Sequence, residues 1–322
     1  MNIHVLAIDG VFDLGLASVL DTLGTANELA ATLDPPVQPI SVTLVGARRN
    51  VRTAQGMTVP VRSLGSAGRP DAIVIPAMGA KQPIAIAAAL DRRDVRDIKA
   101  ALVDQSRDQV WIGAACTATF VLADTGLLDG HSATTSWWLA PLFRNRYPAV
   151  ALDESRMLVA SAPFVTAGAA LAHIDLALGL VRRRSPSLAT LTARYLLVEP
   201  RASQAAFVIP DHLAHADEVV ERFEQWARRR LSKGFSLADA ALSVGTSERT
   251  LARRLQRTLG KSPLSYFQDL RVEHAVHLLE TSSGSIDQVA ALVGYSDGVT
   301  LRTLLRRKLG KGVRELRARA VG

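Results

Sequence analysis

The chain has 322 residues, 48% of them hydrophobic and 21% charged, which is material for packed cores and excludes a disordered chain; its length exceeds what one core commonly serves, so two domains are expected. Its net charge of +8 is uneven: from Leu213 onward 19 Lys and Arg face 12 Asp and Glu, so the last third carries almost all of the excess and the rest is close to neutral. No run of about 18 apolar residues is present to span a bilayer, the N-terminus MNIHVLAIDG lacks a basic leader, and the single Cys116 leaves no intrachain disulfide or multi-cysteine zinc site, so a soluble cytoplasmic protein with no membrane partner is expected.

The first half alternates apolar, β-branched runs with helical stretches. Strands are expected at Ile3 to Ile8, Ser41 to Val45, Ala72 to Ile75 and Val110 to Ile112, with helices such as Ser18 to Leu33 and Val95 to Ser106 between them. Near-continuous apolar strands separated by helices imply an α/β domain, a mostly parallel sheet covered on both faces. A later strand near Met157 to Ala160 precedes a helix expected from about Thr166 to Arg182, whose end, Arg182 to Arg184, places three cations at the negative pole of the helix dipole.

In VWIGAACTATFVLADTGLL, Cys116 falls where a strand turns sharply into a helix N-terminus. That position raises a side chain over the C-terminal edge of a parallel sheet, and the helix dipole there favours a thiolate. His131, Ser136, Trp137 and Trp138 follow in a polar, aromatic loop suited to walling a pocket, although paired indoles suit a core equally well. Seven scattered histidines make any Ser/His/Asp grouping coincidental, and HExxH, Walker-type and GxGxxG patterns are absent. His212 and His215 in PDHLAHAD stand at helical spacing for two metal ligands, but capping or packing is the expected use, and no metal or cofactor is expected.

The strand order, AACTATF, GLLDGHSATTSWW and SQAAFVIPDHLAHAD together resemble the DJ-1/PfpI (class I glutamine amidotransferase-like) domain found in one branch of AraC-type regulators. The resemblance implies a flavodoxin-like parallel sheet sandwiched by helices. In the enzymes of that superfamily the elbow cysteine is a nucleophile, often followed by His and approached by an acid from the first strand–helix segment. Here Thr117 follows Cys116, Asp13 occupies the acidic region, and IPAMGA keeps only Gly79 of the glycine turn that presents backbone N–H groups. Three states for Cys116 follow: contact with a ligand in a sensor pocket built from Asp13, Gly79, Cys116, Thr117 and Trp137; inert packing; or catalysis, as an active cysteine-dependent hydratase or hydrolase relying on Cys116 and Asp13. The departures favour a domain that is not an enzyme.

The segment 185 to 210 reads as a helix followed by a linker, which divides the chain into a sensor or dimerisation domain (1–185), a linker (186–215) and an all-α domain (216–322). Asp217 to Leu231 forms an amphipathic helix with Val220, Phe223, Trp226 and Ala227 inward. An approximate repeat follows: 241–261 is echoed by 291–311. Ala240, Val244, Gly245 and Ser247 recur 49 residues later as Val289, Val293, Gly294 and Ser296, whereas Leu251, Leu255, Leu259 and Gly260 recur 50 residues later. Each copy reads as short helix, glycine turn and basic helix, with capping-box signatures at Ser236/Asp239 and Ser285/Gln288.

In the first copy Leu251, Leu255 and Leu259 form one row; Arg249, Arg253 and Arg257, displaced by two positions or about 200°, form the opposite one. Leucines pack and arginines face outward. Arg249 and Arg253 are expected to read bases, Thr250 to lie beside them, and Arg257 and Lys261 to meet phosphates. The second copy keeps Leu301, Leu305 and Leu309, with Thr300, Arg302, Thr303 and Arg306 outward; Gly298 and Val299 at its start predict more backbone anchoring than readout. The helix 263–280 joins the copies, with Leu264, Phe267, Leu270, Ala275 and Leu278 as anchors, and would hold the two basic helices about one DNA turn, roughly 34 Å, apart. The whole resembles the AraC/XylS DNA-binding domain, except that Val313 and Leu316 stand where relatives usually carry proline and an aromatic, a change expected to loosen the last helix. The resemblance implies a sequence-specific transcription regulator whose expected partners are double-stranded DNA, RNA polymerase, a second copy of the chain as a homodimer, and a small-molecule effector.

Overall fold

The computed structural model describes residues 1–107, 110–199, 201, 203–204, 217–310 and 312–318. The chain divides into two compact units, Met1–Ala205 and Ala206–Gly322. His212 and His215 lie outside the described residues.

The first unit begins β1 (Asn2–Leu6), α1 (Asp13–Ala30) and β2 (Ser41–Gly46), then the hairpin β3 (Asn50–Arg52) and β4 (Thr58–Pro60), and a short β5 (Arg62–Ser63). It continues through β6 (Ala72–Ile75), α2 (Pro83–Leu90), α3 (Arg93–Ser106), β7 (Trp111–Ala115), α4 (Ala118–Ala123) and β8 (Ser132–Ala133). After α5 (Ala140–Arg146) and β9 (Ala151–Leu152) come β10 (Leu158–Ser161), β11 (Phe164–Ala167), α6 (Ala172–Arg184) and α7 (Pro186–Tyr195). The main sheet has seven strands in the order β10-β11-β7-β6-β1-β2-β5, all parallel except the β10–β11 hairpin.

Alternation along each strand feeds two cores. Ile3 and Val5 of β1 and Val74 of β6 join α1, α6 and α7 on one face, whereas Leu6 of β1 and Ile73 and Ile75 of β6 join α2 to α5 on the other. Burial on both faces is why these strands read as unbroken apolar runs. The helix expected from Thr166 starts instead at Ala172, because Phe164–Ala167 pairs with β7 and β10 as a strand. The segment from 185 opens with a helix, α7, whose Leu188 and Ala189 share a buried core with residues of α1 and α6, and the first compact unit runs to Ala205.

The second unit opens with a helix Glu218–Arg228 capped by Asp217, whose side chain accepts from the N–H groups of Val219 and Val220. Val220, Phe223 and Ala227 are fully buried, and Glu224, itself buried, accepts a hydrogen bond from Tyr266 Oη at 2.6 Å. Two helix pairs follow, Leu237–Ser243 with Glu248–Leu259 and Ile286–Leu292 with Gly298–Leu309, joined by a long helix Pro263–Thr281. Pro263 sits in that helix's first turn, where its missing N–H costs nothing. Phe267, Leu270 and Ala275 are buried as expected, but Leu264 is exposed and Tyr266 takes the inward place. The final helix Val313–Ala318 forms, with Leu316 buried in the same apolar cluster as Leu279 and Leu305.

Both glycine turns use left-handed backbone, φ 70° at Gly245 and 83° at Gly294, which a side chain would oppose. Ser247 caps the first basic helix by accepting from Thr250 N–H. The second is capped by Asp297, which accepts from Thr300 N–H, not by Ser296. The extra residue of the repeat therefore lies in the second turn, and from the cap onward the two helices align at a constant offset of 50. Of the two capping signatures, Ser285–Gln288 closes in both directions, while at Ser236 the side chain accepts from Asp239 N–H alone.

Candidate functional site

On the first basic helix, Leu251 and Leu255 are fully buried and Leu259 nearly so, while Arg249, Arg253 and Arg257 are exposed. Thr250 is half-buried, accepting from Ser247 Oγ at 2.9 Å. The neighbouring Arg254 is held by Asp217 at 3.0 and 3.1 Å, and Arg257 approaches the same carboxylate at 3.6 Å while its side chain stays 62% exposed. Lys261 is paired with Asp269 of the joining helix at 2.8 Å, and Lys308, from the end of the second basic helix, pairs with the same carboxylate.

The second basic helix buries Leu301 and Leu305 and exposes Val299, Thr300, Arg302, Thr303 and Arg306. Gly298 does not lie on the readout face: it is buried, and its N–H donates to Asp287 Oδ1 at 2.8 Å. Thus the two helices present equivalent faces with different chemistry, Arg249 and Arg253 on one matched by Val299 and Thr303 on the other.

In the first unit, the ends of β1, β6 and β7 meet. Cys116 adopts φ 57°, a strained value for a residue with a side chain, and its N–H donates to Ala167 O at 2.9 Å. The thiol is buried, 2.7 Å from Ser136 Oγ. Burial pushes it up, against the opposing pull of the Ser136 hydroxyl, the Thr117 groups and the Lys81 charge. This corrects the expectation of an exposed thiolate: α4 has only six residues, and loss of solvation outweighs what its N-terminus offers.

Thr117 is buried too, its hydroxyl donating to Met78 O at 2.8 Å. Trp137 is buried in edge-to-face contact with Trp138 at 5.5 Å. Gly79 N–H donates to Gly10 O at 2.7 Å, so the one glycine amide of that turn is already engaged. Asp13, first residue of α1, accepts from Gln55 N–H at 3.0 Å, and its Oδ1 is buried without a partner among the described residues. Asp13 is not among the groups bonded to Cys116, which leaves the pairing of acid and thiol unmade.

Two further residues carry this region: His173, which nothing local in the sequence marks, and Gln204, which stands in the SQAAFVIPDHLAHAD segment. His173 is fully buried; its Nε2 accepts from Ala77 N–H at 3.0 Å and its Nδ1 donates to Ala170 O at 2.5 Å, and burial lowers it to about 4. A Cβ at Gly15 would stand 2.6 Å from that ring, which accounts for a glycine inside α1. Gln204 is likewise buried, its amide donating to Thr135 O at 2.9 Å, while Thr135 Oγ1 donates to Cys116 O at 2.7 Å.

A family model described as DJ-1/PfpI family matches residues 1–183, more than half of the chain. The chain belongs to the DJ-1/PfpI family. A helix-turn-helix domain model, of the AraC type, matches residues 240–319. The HTH-type transcriptional regulator GbdR of Pseudomonas aeruginosa is 25% identical over 299 residues, 91% of this chain and 78% of that protein. The HTH-type transcriptional regulator GlxA of Rhizobium meliloti is 28% identical over 318 residues, 95% of this chain and 92% of that one. In fold, this DJ-1/PfpI member is similar over 61% of its length to 98% of an AraC family transcriptional regulator from Pseudomonas putida, with a TM-score of 0.51 at 16% identity. Both of these relatives, which span most of the chain, are named as transcriptional regulators, and this DJ-1/PfpI member is a DNA-binding transcription regulator. Among the described residues no helix is long and apolar enough to cross a membrane, and no cluster of three metal-ligating side chains occurs.

Proposed function

We propose that the chain regulates transcription by setting Glu248–Leu259 and Gly298–Leu309 into successive major grooves of double-stranded DNA, and that the DJ-1/PfpI unit supplies effector sensing and homodimerisation. The observation that carries this is the matched pair of exposed helix faces, each backed by a buried leucine row and opened by a capped N-terminus. N-terminal turns of such helices meet base edges. Arg249 and Arg253 supply donors for guanine O6 and N7, with Thr250 beside them; Arg257, Lys261, Arg302 and Arg306 neutralise phosphate, and Thr300 and Thr303 complete the second face.

Support for sensing comes from the first unit. Asp13 Oδ1 is a buried acceptor in want of a donor, at the sheet edge where open α/β folds take ligands. Asp13, Gly79, Cys116, Thr117 and Trp137 are the proposed pocket, with the neutral thiol as a contact. Thermal unfolding of the full chain against panels of small polar molecules tests it: a ligand at 100 times its Kd adds about 2.7 kcal/mol of stability, and Asp13→Asn removes that gain. DNA-dependent pull-down of RNA polymerase and sedimentation of the full chain test the two protein partners. For DNA, selection from a random pool should return two half-sites about one helical turn apart; a pool that stays random contradicts the proposal.

A further inference from the structure

From their caps onward the two basic helices match position for position at an offset of 50, and at two exposed places they carry opposite chemistry. Arg249 and Arg253 answer to Val299 and Thr303. Val299 is 67% exposed, an isopropyl group at the place where the first helix carries a guanidinium. The hydroxyls around it are turned inward: Thr303 Oγ1 donates to Val299 O at 3.0 Å, and Thr300 Oγ1 donates to Asp297 Oδ2 at 3.1 Å. With its hydroxyl proton spent on the Val299 carbonyl, Thr303 can donate to no base and has its methyl and oxygen lone pairs to offer, while Val299 has methyls alone. Val299, Thr303 and Leu304 also line a groove of about 410 Å³ that runs to Gln268 and Tyr295, so an incoming methyl group has space beside them.

We propose that the second basic helix is a thymine reader, with Val299 and Thr303 packing against thymine C5-methyl groups in the major groove. That groove displays one apolar handle, the thymine methyl, and side-chain methyls are its natural partners. Arg302 and Arg306, exposed on the same helix, hold the adjacent phosphates. The operator is then chemically asymmetric: guanine specified in the half-site under Arg249 and Arg253, thymine in the half-site under Val299 and Thr303. This rests on the reading of the two helices as DNA-docked, and it replaces the expectation that the second helix is mainly an anchor.

The test uses the full chain and duplexes selected by it from a random pool. Each thymine is replaced in turn by deoxyuridine, which keeps every hydrogen-bonding group and removes the methyl alone. Affinity should fall about fourfold at one or two thymines of a single half-site, the value of one buried methyl. In Val299→Ala, and in Thr303→Ser, which keeps the hydroxyl and its bond to the Val299 carbonyl, the loss should shrink at the thymine that the trimmed side chain covers and persist at the other. Both positions are exposed, so the variants keep the fold. Equal binding of all uracil duplexes by the wild type, with selected DNA still preferred over random DNA, overturns thymine reading and leaves the docked helices standing. Absence of any preference for selected DNA overturns both.

Discussion

Arg249 and Val299 stand at the same place on two helices of the same design, each the second residue after its cap, Ser247 or Asp297. The guanidinium can form two hydrogen bonds to one base, whereas the isopropyl group offers apolar contact alone. Arg249→Ala is therefore expected to weaken binding to a selected duplex by about 1 to 3 kcal/mol, and Val299→Ala by about 1 kcal/mol or less. Titration of the two variants against that duplex checks the order; a larger loss for Val299→Ala would reverse the assignment of the two faces.

Asp269 pairs with two cations, Lys261 just past the first basic helix and Lys308 near the end of the second. Such half-exposed pairs contribute little to stability, but they hold positive charge in partial neutrality. Asp269→Asn should release both lysines, and the slope of log affinity against log salt should steepen by about one to two. An unchanged slope would show that neither lysine can reach a phosphate.

Burial holds the Cys116 thiol above the ordinary cysteine range, so the thiolate is scarce at neutral pH. Its reaction with a soluble disulfide reagent should be slower than that of free cysteine, by on the order of tenfold per unit by which its pKa is raised, and should accelerate on unfolding in urea. A fast native reaction already complete at pH 6 would instead mark an activated thiol and revive an enzymatic reading.

His173 is neutral in the fold, with its pKa lowered to about 4 by burial, and regains an ordinary value of 6.5 when unfolded. Between those values the unfolded state binds the extra proton. Its contribution is fully present above pH 6.5 and is lost as pH falls toward 4, by up to about 1.4 kcal/mol per pH unit. Urea unfolding of the first unit followed at pH 7, 5.5 and 4.5 should show this decline, and His173→Gln should be less stable at pH 7 yet flatter below it. Parallel pH curves for the two proteins would contradict the assignment.

What was legible in the sequence follows from the range of the interactions involved. Strands β1 and β6 declared themselves because burial on both faces demands near-continuous apolar residues, and the leucine rows of the basic helices because packing repeats every turn. Strand β11 did not: Phe164–Ala167 is only four residues long and runs on into the small residues before α6, and ladders with β7 and β10 fix it as a strand. The cap at Asp297 was hidden behind Ser296, which matches Ser247 in type but lies one residue early. At the elbow, Cys116 and Thr117 could be found from the strand–turn–helix pattern. Their burial could not, because Ser136, Met78 and Gln204 come from distant segments, and His173 meets Ala77 across 96 residues.

The central claim is that the first basic helix chooses the DNA sequence, and Arg253 tests it most directly. Affinities of wild type, Arg253→Ala and Arg257→Ala would be measured on a selected duplex and on a random one of equal length at the same salt concentration. Arg253→Ala should lose about 1 to 3 kcal/mol on the selected duplex and little on the random one, whereas Arg257→Ala should weaken both alike. Equal losses on both duplexes for Arg253→Ala would contradict base reading by this helix.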